Sequence, residues 1–486
     1  VAAVVASGAL ALSLLPATGA VAVADEDKPV SVWGEDSPRF EMPAVKVGSN
    51  RPVKNEPAKD PDDSVYLPWL REQQARLKGV TPAGKAAKSA GAAAGASVTS
   101  VVPEGQGDVP WHRSTSFAIT DSLTAKINYS TGNLMLTATD FQIAGVGQNL
   151  TLARTYNSLD VPWGKVSQRW WQQYERYLSI ASSEVIFYDA SGATVRFEES
   201  DGSFTTPKGY SQDLKKNSDG TYTLTKWKSG AKETYDQYGT LTKVTDKNKG
   251  TITVTQHDEG SEHKGFKLTE TRSGRFVDLV KTDASQWQAK DNTGRTAVFD
   301  LDPADNLAKT TDTEGKTITF GYDDWGRVTK ITTPEGRVTV FTYDDASRVT
   351  SMLRATELNA SGHTGPTWTY AYSADSATTA GTTTVTDPEQ HATTYDHDGD
   401  GQVTEVTDAL EHKRSTKFDA NHNVDTATDA MGSGTTPGNV TNYGFNTRNN
   451  LETVTTPTGG KTVNNWQTIA GADVPKRSSH LALAVA

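Results

Sequence analysis

Alternation with a period of two dominates the second half of the chain. From Arg337 to Tyr343, residues Thr339, Phe341 and Tyr343 fall on one face, and Val338, Val340 and Thr342 on the other. That pattern predicts a strand rather than a helix. Val328 to Thr333 is a second β-branched run with the same period. Thr333-Pro334-Glu335-Gly336 suits a tight turn, because proline pre-sets φ at the second position and glycine suits the fourth. Asp323-Asp324-Trp325-Gly326-Arg327 is the opposite turn, with Gly326 free to adopt positive φ. One unit is therefore two short strands and two turns.

The unit recurs from Asp291 to Leu353 with a step of 21 residues. Phe299, Phe320 and Phe341 form one column. Leu301, Tyr322 and Tyr343 form another, Asp302, Asp323 and Asp344 a third, and Leu307, Val328 and Val349 a fourth. Gly294, Gly315 and Gly336 keep step, each followed by a basic residue: Arg295, Lys316, Arg337. A fixed period of this length marks a repeat architecture. A lone hairpin is marginal in water, so the units are expected to stack and bury their Phe and Tyr columns.

The string from Tyr322 to Val328, followed by Pro334-Glu335-Gly336, resembles the YD repeat of RHS proteins, the bacterial relatives of the teneurin shell. Weaker copies surround it. Tyr235-Asp236 with Gly239 keeps the spacing but has Thr240 in place of arginine, and Tyr343-Asp344 has Ser347 in place of glycine. Tyr395-Asp396 opens a copy with two extra residues before Val403, and Phe418-Asp419 and Phe445-Asn446 open two more. Upstream, Gly132-Asn133-Leu134, Asp140-Phe141 and Arg154-Thr155-Tyr156-Asn157-Ser158, with Trp170-Trp171 after them, are similar to the module that precedes the repeats in that family. The resemblance spans roughly Phe117 to Trp466. It implies an all-β fold: an N-terminal β module, then an array of β-hairpin YD repeats forming part of a spiral shell. In the family such shells hold a variable C-terminal toxin. Shells of the family close with a C-terminal core segment that ends near a "DP.GL" motif. Asp302-Pro303 and Asp387-Pro388 share only its first two residues, so the resemblance implies a carrier whose toxin and core-closing segment are absent from this sequence.

The 486 residues divide accordingly. Residues 1–24 read as a signal peptide lacking its basic start, with Ala22-Val23-Ala24 before Asp25 as the cleavage site. Residues 25–116 read as a disordered arm and Ala/Gly-rich linker, 117–230 as the β module, 231–466 as the repeats and 467–486 as an irregular tail. Secretion or cell-wall association follows, with no membrane span after signal cleavage. A net charge of −11 and a pI near 5.4 argue against a nucleic-acid partner. Zero cysteines exclude disulfides, thiol nucleophiles and cysteine-ligated zinc.

Candidate chemistry is sparse. Asp396, Asp398 and Asp400, with Gly401, resemble the start of a calcium loop, but Thr407 stands where a bidentate glutamate belongs, and a decorated turn is the expected reading. Gly315-Lys316-Thr317 and Gly460-Lys461-Thr462 lack the first glycine of a phosphate loop. The nine histidines include no HExxH pair, and there is no GxSxG elbow. The expectation is a non-enzyme without cofactor, its partner being its own C-terminal toxin or shell remainder. Two alternatives stand beside it: a carbohydrate-binding or adhesive module, with Trp325, Trp368 and Tyr372 stacking on sugars, and a wall-glycan hydrolase using a carboxylate pair.

Overall fold

The computed structural model describes residues 105–159, 164–257, 265–359, 362–374, 379–432 and 438–481. The expected signal peptide and most of the expected arm lie outside these residues, as does the end of the tail. The described chain is almost wholly β, and its one helical element is the 3₁₀ turn Gln173–Glu175.

Two small antiparallel sheets come first. Ser114–Ala118, Leu123–Asn128, Leu134–Ile143, Leu150–Asn157 and Trp170–Gln172 pair in chain order, and Tyr177–Ile180, Glu184–Tyr188, Thr194–Ser200 and Ser203–Thr205 follow as a second meander. The ten-residue strand Leu134–Ile143 is bulged between Thr139 and Phe141. The bulge turns Asp140 inward onto Arg154, an ion pair buried on both sides.

Everything after that is one sheet, apart from the small hairpin Glu357–Asn359 and Gly362–Thr364. Among the described residues, the 24 strands of that sheet, from Gln212–Lys216 to Ala472–Leu481, pair antiparallel in chain order, with Val349–Ala355 meeting Thr367–Tyr372 across the hairpin. A meander of this length puts alternate turns on opposite rims. The upper rim carries turns 236–240, 302–306, 323–327, 344–348, 398–402, 419–423 and 446–450. The lower rim carries 226–230, 246–250, 291–295, 312–316, 333–337, 387–391, 408–412 and 456–460.

The ribbon comes full circle. Lys228, on a lower-rim turn, donates to the carbonyl of Asn449, on an upper-rim turn, at 2.7 Å. The N–H of Asp473, beside the last upper turn, donates to the carbonyl of Trp227 at 2.6 Å. Upper rim meeting lower rim means that the sheet advances as it curls. It is a spiral and not a closed ring, which is how an accumulating right-handed twist resolves in a long sheet.

The β module lies inside this coil, and one continuous apolar core joins the two. Phe299 and Phe341 are buried, as is Phe320, whose ring meets Trp170 edge-on at 5.3 Å. The guanidinium of Arg154 sits over Phe299 at 5.3 Å, and Tyr129 stacks on Tyr395 at 3.9 Å. The columns are thus covered chiefly by the module and not by unit stacking on unit. Neighbouring strands of one sheet flank each other's side chains but leave the inner face bare.

Three boundaries move. The hairpin sheet starts at Gln212 and not at 231, because Tyr222 of an earlier strand pairs with Tyr235; strand pairing, not the Tyr-Asp signature, sets the edge. Residues 105–116 belong to the module: Gln106 and Trp111 are buried, and the first strand opens at Ser114. The expected irregular tail is a hairpin up to Leu481, with Lys461–Ile469 against Ala472–Leu481. Its turn uses Ala470 and Gly471 at positive φ and has no capping aspartate at its start.

Candidate functional site

The repeated Tyr-Asp…Gly-Arg string does two jobs, one inside its turn and one between units. Within the turn, Asp323 Oδ1 accepts the N–H groups of Trp325 and Arg327 at 3.0 and 2.9 Å. The N–H of Gly326 donates to the carbonyl of Asp323, and the N–H of Asp323 to that of Arg327. This is a type I turn closed by a residue in the left-handed region, φ +71° at Gly326. Asp236, Asp302, Asp344, Asp398 and Asp419 cap upper-rim turns the same way, with Asn446 in the next copy. Asp291, Asp312, Asp387 and Asp408 do so on the lower rim, where Gly294, Gly315 and Gly336 also take positive φ. Gly239 holds the fourth position in the copy that begins at Tyr235 and Asp236.

Between units, Tyr322, Tyr343 and Tyr372 each donate their hydroxyl backwards, to the carbonyls of Leu307, Val328 and Val349 at 2.8, 2.6 and 2.7 Å. Trp466 does the same to Leu451 through its indole N–H. Arg327 pairs with Asp323 at 2.7 Å, donates forwards to the carbonyl of Asp344 at 2.8 Å and lies over the ring of Tyr343. Arg348 repeats the arrangement onto Ala374 and Tyr372. Tyrosine and arginine are therefore the rungs of a ladder along the upper rim. Tyr235 departs from the pattern: its hydroxyl bonds Glu233, which is held by Arg176 of the module at 3.0 Å.

The copy at Tyr395 is read out of register by its sequence. The capping residue is Asp398 and the left-handed residue is Gly401, so His397 occupies the tyrosine column and Tyr395 the phenylalanine column. There are no extra residues. Asp396 accepts from Thr382 across the strand, and the carbonyl of Asp400 faces Trp111. The calcium-loop resemblance is thus the ordinary turn of a unit. Among the described residues no group of three His, Asp or Glu side chains is placed to hold a metal ion.

Residues 124–197 match a domain of unknown function, DUF6531, and residues 302–338 and 322–357 match RHS Repeat. The chain is an RHS/YD-repeat protein. It is 29% identical over 144 residues to the tRNA nuclease WapA of Bacillus subtilis strain 168 and to the tRNA3(Ser)-specific nuclease WapA of Bacillus spizizenii, which is 29% of this chain and 6% of each relative. Solved structures that resemble it include TcdB2-TccC3, at 12% identity and TM-score 0.32 over 72% of this chain and 20% of that one. A Photorhabdus luminescens Tc holotoxin pore bearing a TccC3 mutation aligns at 9% identity and TM-score 0.22, over 74% and 25%.

In this RHS chain the module is seated on the upper rim turn by turn. Leu178 N–H donates to the carbonyl of Gly239, Gln168 to Ala304, Arg169 to Trp325, Ser158 to Ser347 and Trp111 to Asp400. Trp111 also stacks on His422 at 4.1 Å, and Asn449 donates to the carbonyl of Tyr210. These turns direct carbonyl groups inward that the ladder does not use, and each needs a donor once water is excluded. Of these seating residues, Ser158 falls in the Arg154 to Ser158 string that resembles the family's leading module, whereas Trp111, Gln168, Arg169 and Leu178 lie in no motif. Of the aromatics considered for sugar stacking, Trp368 packs against Phe117, and Tyr372 lies under Arg348.

Burial perturbs several groups at this junction. It raises Glu175 to about 7 against the pull of Lys165, and raises the Tyr156 phenol to about 12. Burial lowers His112 to about 4, with the charges of His397 and His422 adding to it and the Asp400 carbonyl opposing. Asn128 faces His112 Nδ1 at 3.1 Å and that carbonyl faces Nε2 at 3.0 Å, which fits a neutral ring protonated on Nε2. For Asp291, burial works upwards, but hydrogen bonds from Thr293 and Arg295 together outweigh it and hold the carboxyl low. These shifts serve packing; the groups converge on no shared reacting centre.

Proposed function

We propose that this chain is the leading, internally plugged part of a secreted carrier shell, acting as a container and not as a catalyst. The observation that carries the proposal is the seating of the module on successive upper-rim turns from Gly239 to Asn449, which blocks the bore of the coil from within. A sheet meant to present its inner face to a soluble ligand would not fill that face with its own Trp170, Tyr129 and Arg154. The RHS match supports the carrier reading, and relatives named as tRNA nucleases suggest the kind of cargo such a carrier holds. That cargo is a property of those relatives, of which this chain spans 6%. Export, with the mature chain starting at Asp25, is part of the same proposal.

Expression of residues 25–486 in a bacterial host, retained in the cytoplasm or exported, is the direct test. The expected result is normal growth in both arms and no RNA cleavage by the purified chain. Growth arrest or nuclease activity overturns the container reading. N-terminal sequencing of exported material should begin at Asp25; a retained leader on soluble cytoplasmic protein overturns export.

A further inference from the structure

The seam where the coil meets itself brings together three side chains from distant parts of the sequence. Lys228 stands on the lower-rim turn 226–230, Asn450 closes the upper-rim turn 446–450, and Asp473 lies in the last strand. Lys228 Nζ is 2.6 Å from Asn450 Oδ1, with the carbonyls of Asn449 and Arg448 at 2.7 and 3.5 Å. Asn450 Nδ2 donates to Asp473 Oδ2 at 2.8 Å. The amide is oriented from both sides: an ammonium can only donate and a carboxylate only accept, so a flipped amide would oppose like to like. Asn450 is 2% and Asp473 7% exposed. Arg448 holds Asp473 at 2.8 Å and covers the ring of Trp227 at 4.2 Å. Gly230 fits so closely on Ala472 that an added Cβ would come within 2.8 Å.

These are the parts needed for acyl transfer between side chains: an amine against an amide carbonyl, a carboxylate on the nitrogen that must leave, and a framework that holds all three in contact. We propose that Lys228 and Asn450 become joined by a side-chain amide bond that rivets the first hairpins of the coil to the last. Lys228 Nζ attacks Asn450 Cγ, forming the new C–N bond, and the Cγ–Nδ2 bond breaks. Asp473, already bonded to Nδ2, relays the proton shed by the amine to the departing nitrogen, which leaves as ammonia. The step needs no oxidant and no cofactor. An amine attacks only when neutral, so the bond forms faster as pH rises.

Peptide mapping by mass spectrometry of the full chain, after incubation at mildly alkaline pH, tests this. The Lys228 and Asn450 peptides should be recovered as one branched species, lighter than their sum by one ammonia. Lys228→Arg keeps a cation on the same carbonyls and should yield two linear peptides. Asp473→Asn should slow branching while leaving the seam formed, as read by exchange protection of the residue 473 amide, which donates to Trp227. Linear peptides from a protein whose 473 amide is protected overturn the bond and leave a purely electrostatic clasp. An unprotected amide overturns the seam and the proposal with it.

Discussion

Replacing Asp323 by alanine should cost far more than the same change at Asp312, although both cap the same kind of turn. Each carboxylate accepts two backbone N–H groups, at 3.0 and 2.9 Å for Asp323 and at 2.8 and 2.9 Å for Asp312. The difference lies in what else they hold. Asp312 is exposed, and its neighbour Lys316 pairs with Glu314 instead. Asp323 fixes Arg327, whose side chain is only 10% exposed and reaches the carbonyl of Asp344 in the next unit. A net hydrogen bond is worth about 1 kcal/mol, and one to a charged partner about 1.5–3 kcal/mol. Water can re-solvate the exposed turn, so Asp312→Ala should cost about 1 kcal/mol. Asp323→Ala loses the half-buried ion pair as well and should cost about 3 kcal/mol. Asp323→Asn keeps the Oδ1 cap and gives up the charge, so it should fall between them. A coil of this length need not unfold in one step, so the assay is local: hydrogen exchange at the amides of Trp325 and Arg327, together with thermal melting. Equal costs at the two sites, or unchanged protection at Arg327 in Asp323→Ala, would refute the ladder.

Gln390 and Glu411 are exposed and sit at φ +69° and +62°, where other units have glycine. Gln390→Gly and Glu411→Gly should each stabilise by about 1 kcal/mol, and Gly315→Ala should destabilise by a similar amount, all read by melting temperature. Phe341→Ala empties a fully buried site and should cost about 3–5 kcal/mol, whereas Tyr443→Ala, at a half-buried site of the same column, should cost about half as much; equal losses would show that the module does not cover the column unevenly. His112 is held at about 4, below an unfolded value near 6.5. Its contribution to stability is therefore complete above that unfolded value and is lost as pH falls through the window towards 4, by up to about 3 kcal/mol. Acid titration of the module's protease resistance should show this step in the native chain and lose it in His112→Gln.

The strands and turns were legible because their causes are local. Alternation sorts Thr339, Phe341 and Tyr343 to one face, and five residues from Asp323 to Arg327 contain the whole hydrogen-bond pattern of their turn. Where the local signal weakened, the reading slipped. His in the tyrosine column at 397 shifted the register of one unit, and a final turn of Ala470-Gly471, with no capping aspartate, hid a hairpin. What lies over the inner face, and where the ribbon meets itself, follows from twist summed over many strands and from contacts such as Trp111 with Asp400, 289 residues apart, and Lys228 with Asn450, 222 apart. A polar residue that seats on a turn carbonyl and one that faces water look alike in sequence. Only the closing of the coil removes the water and decides between them.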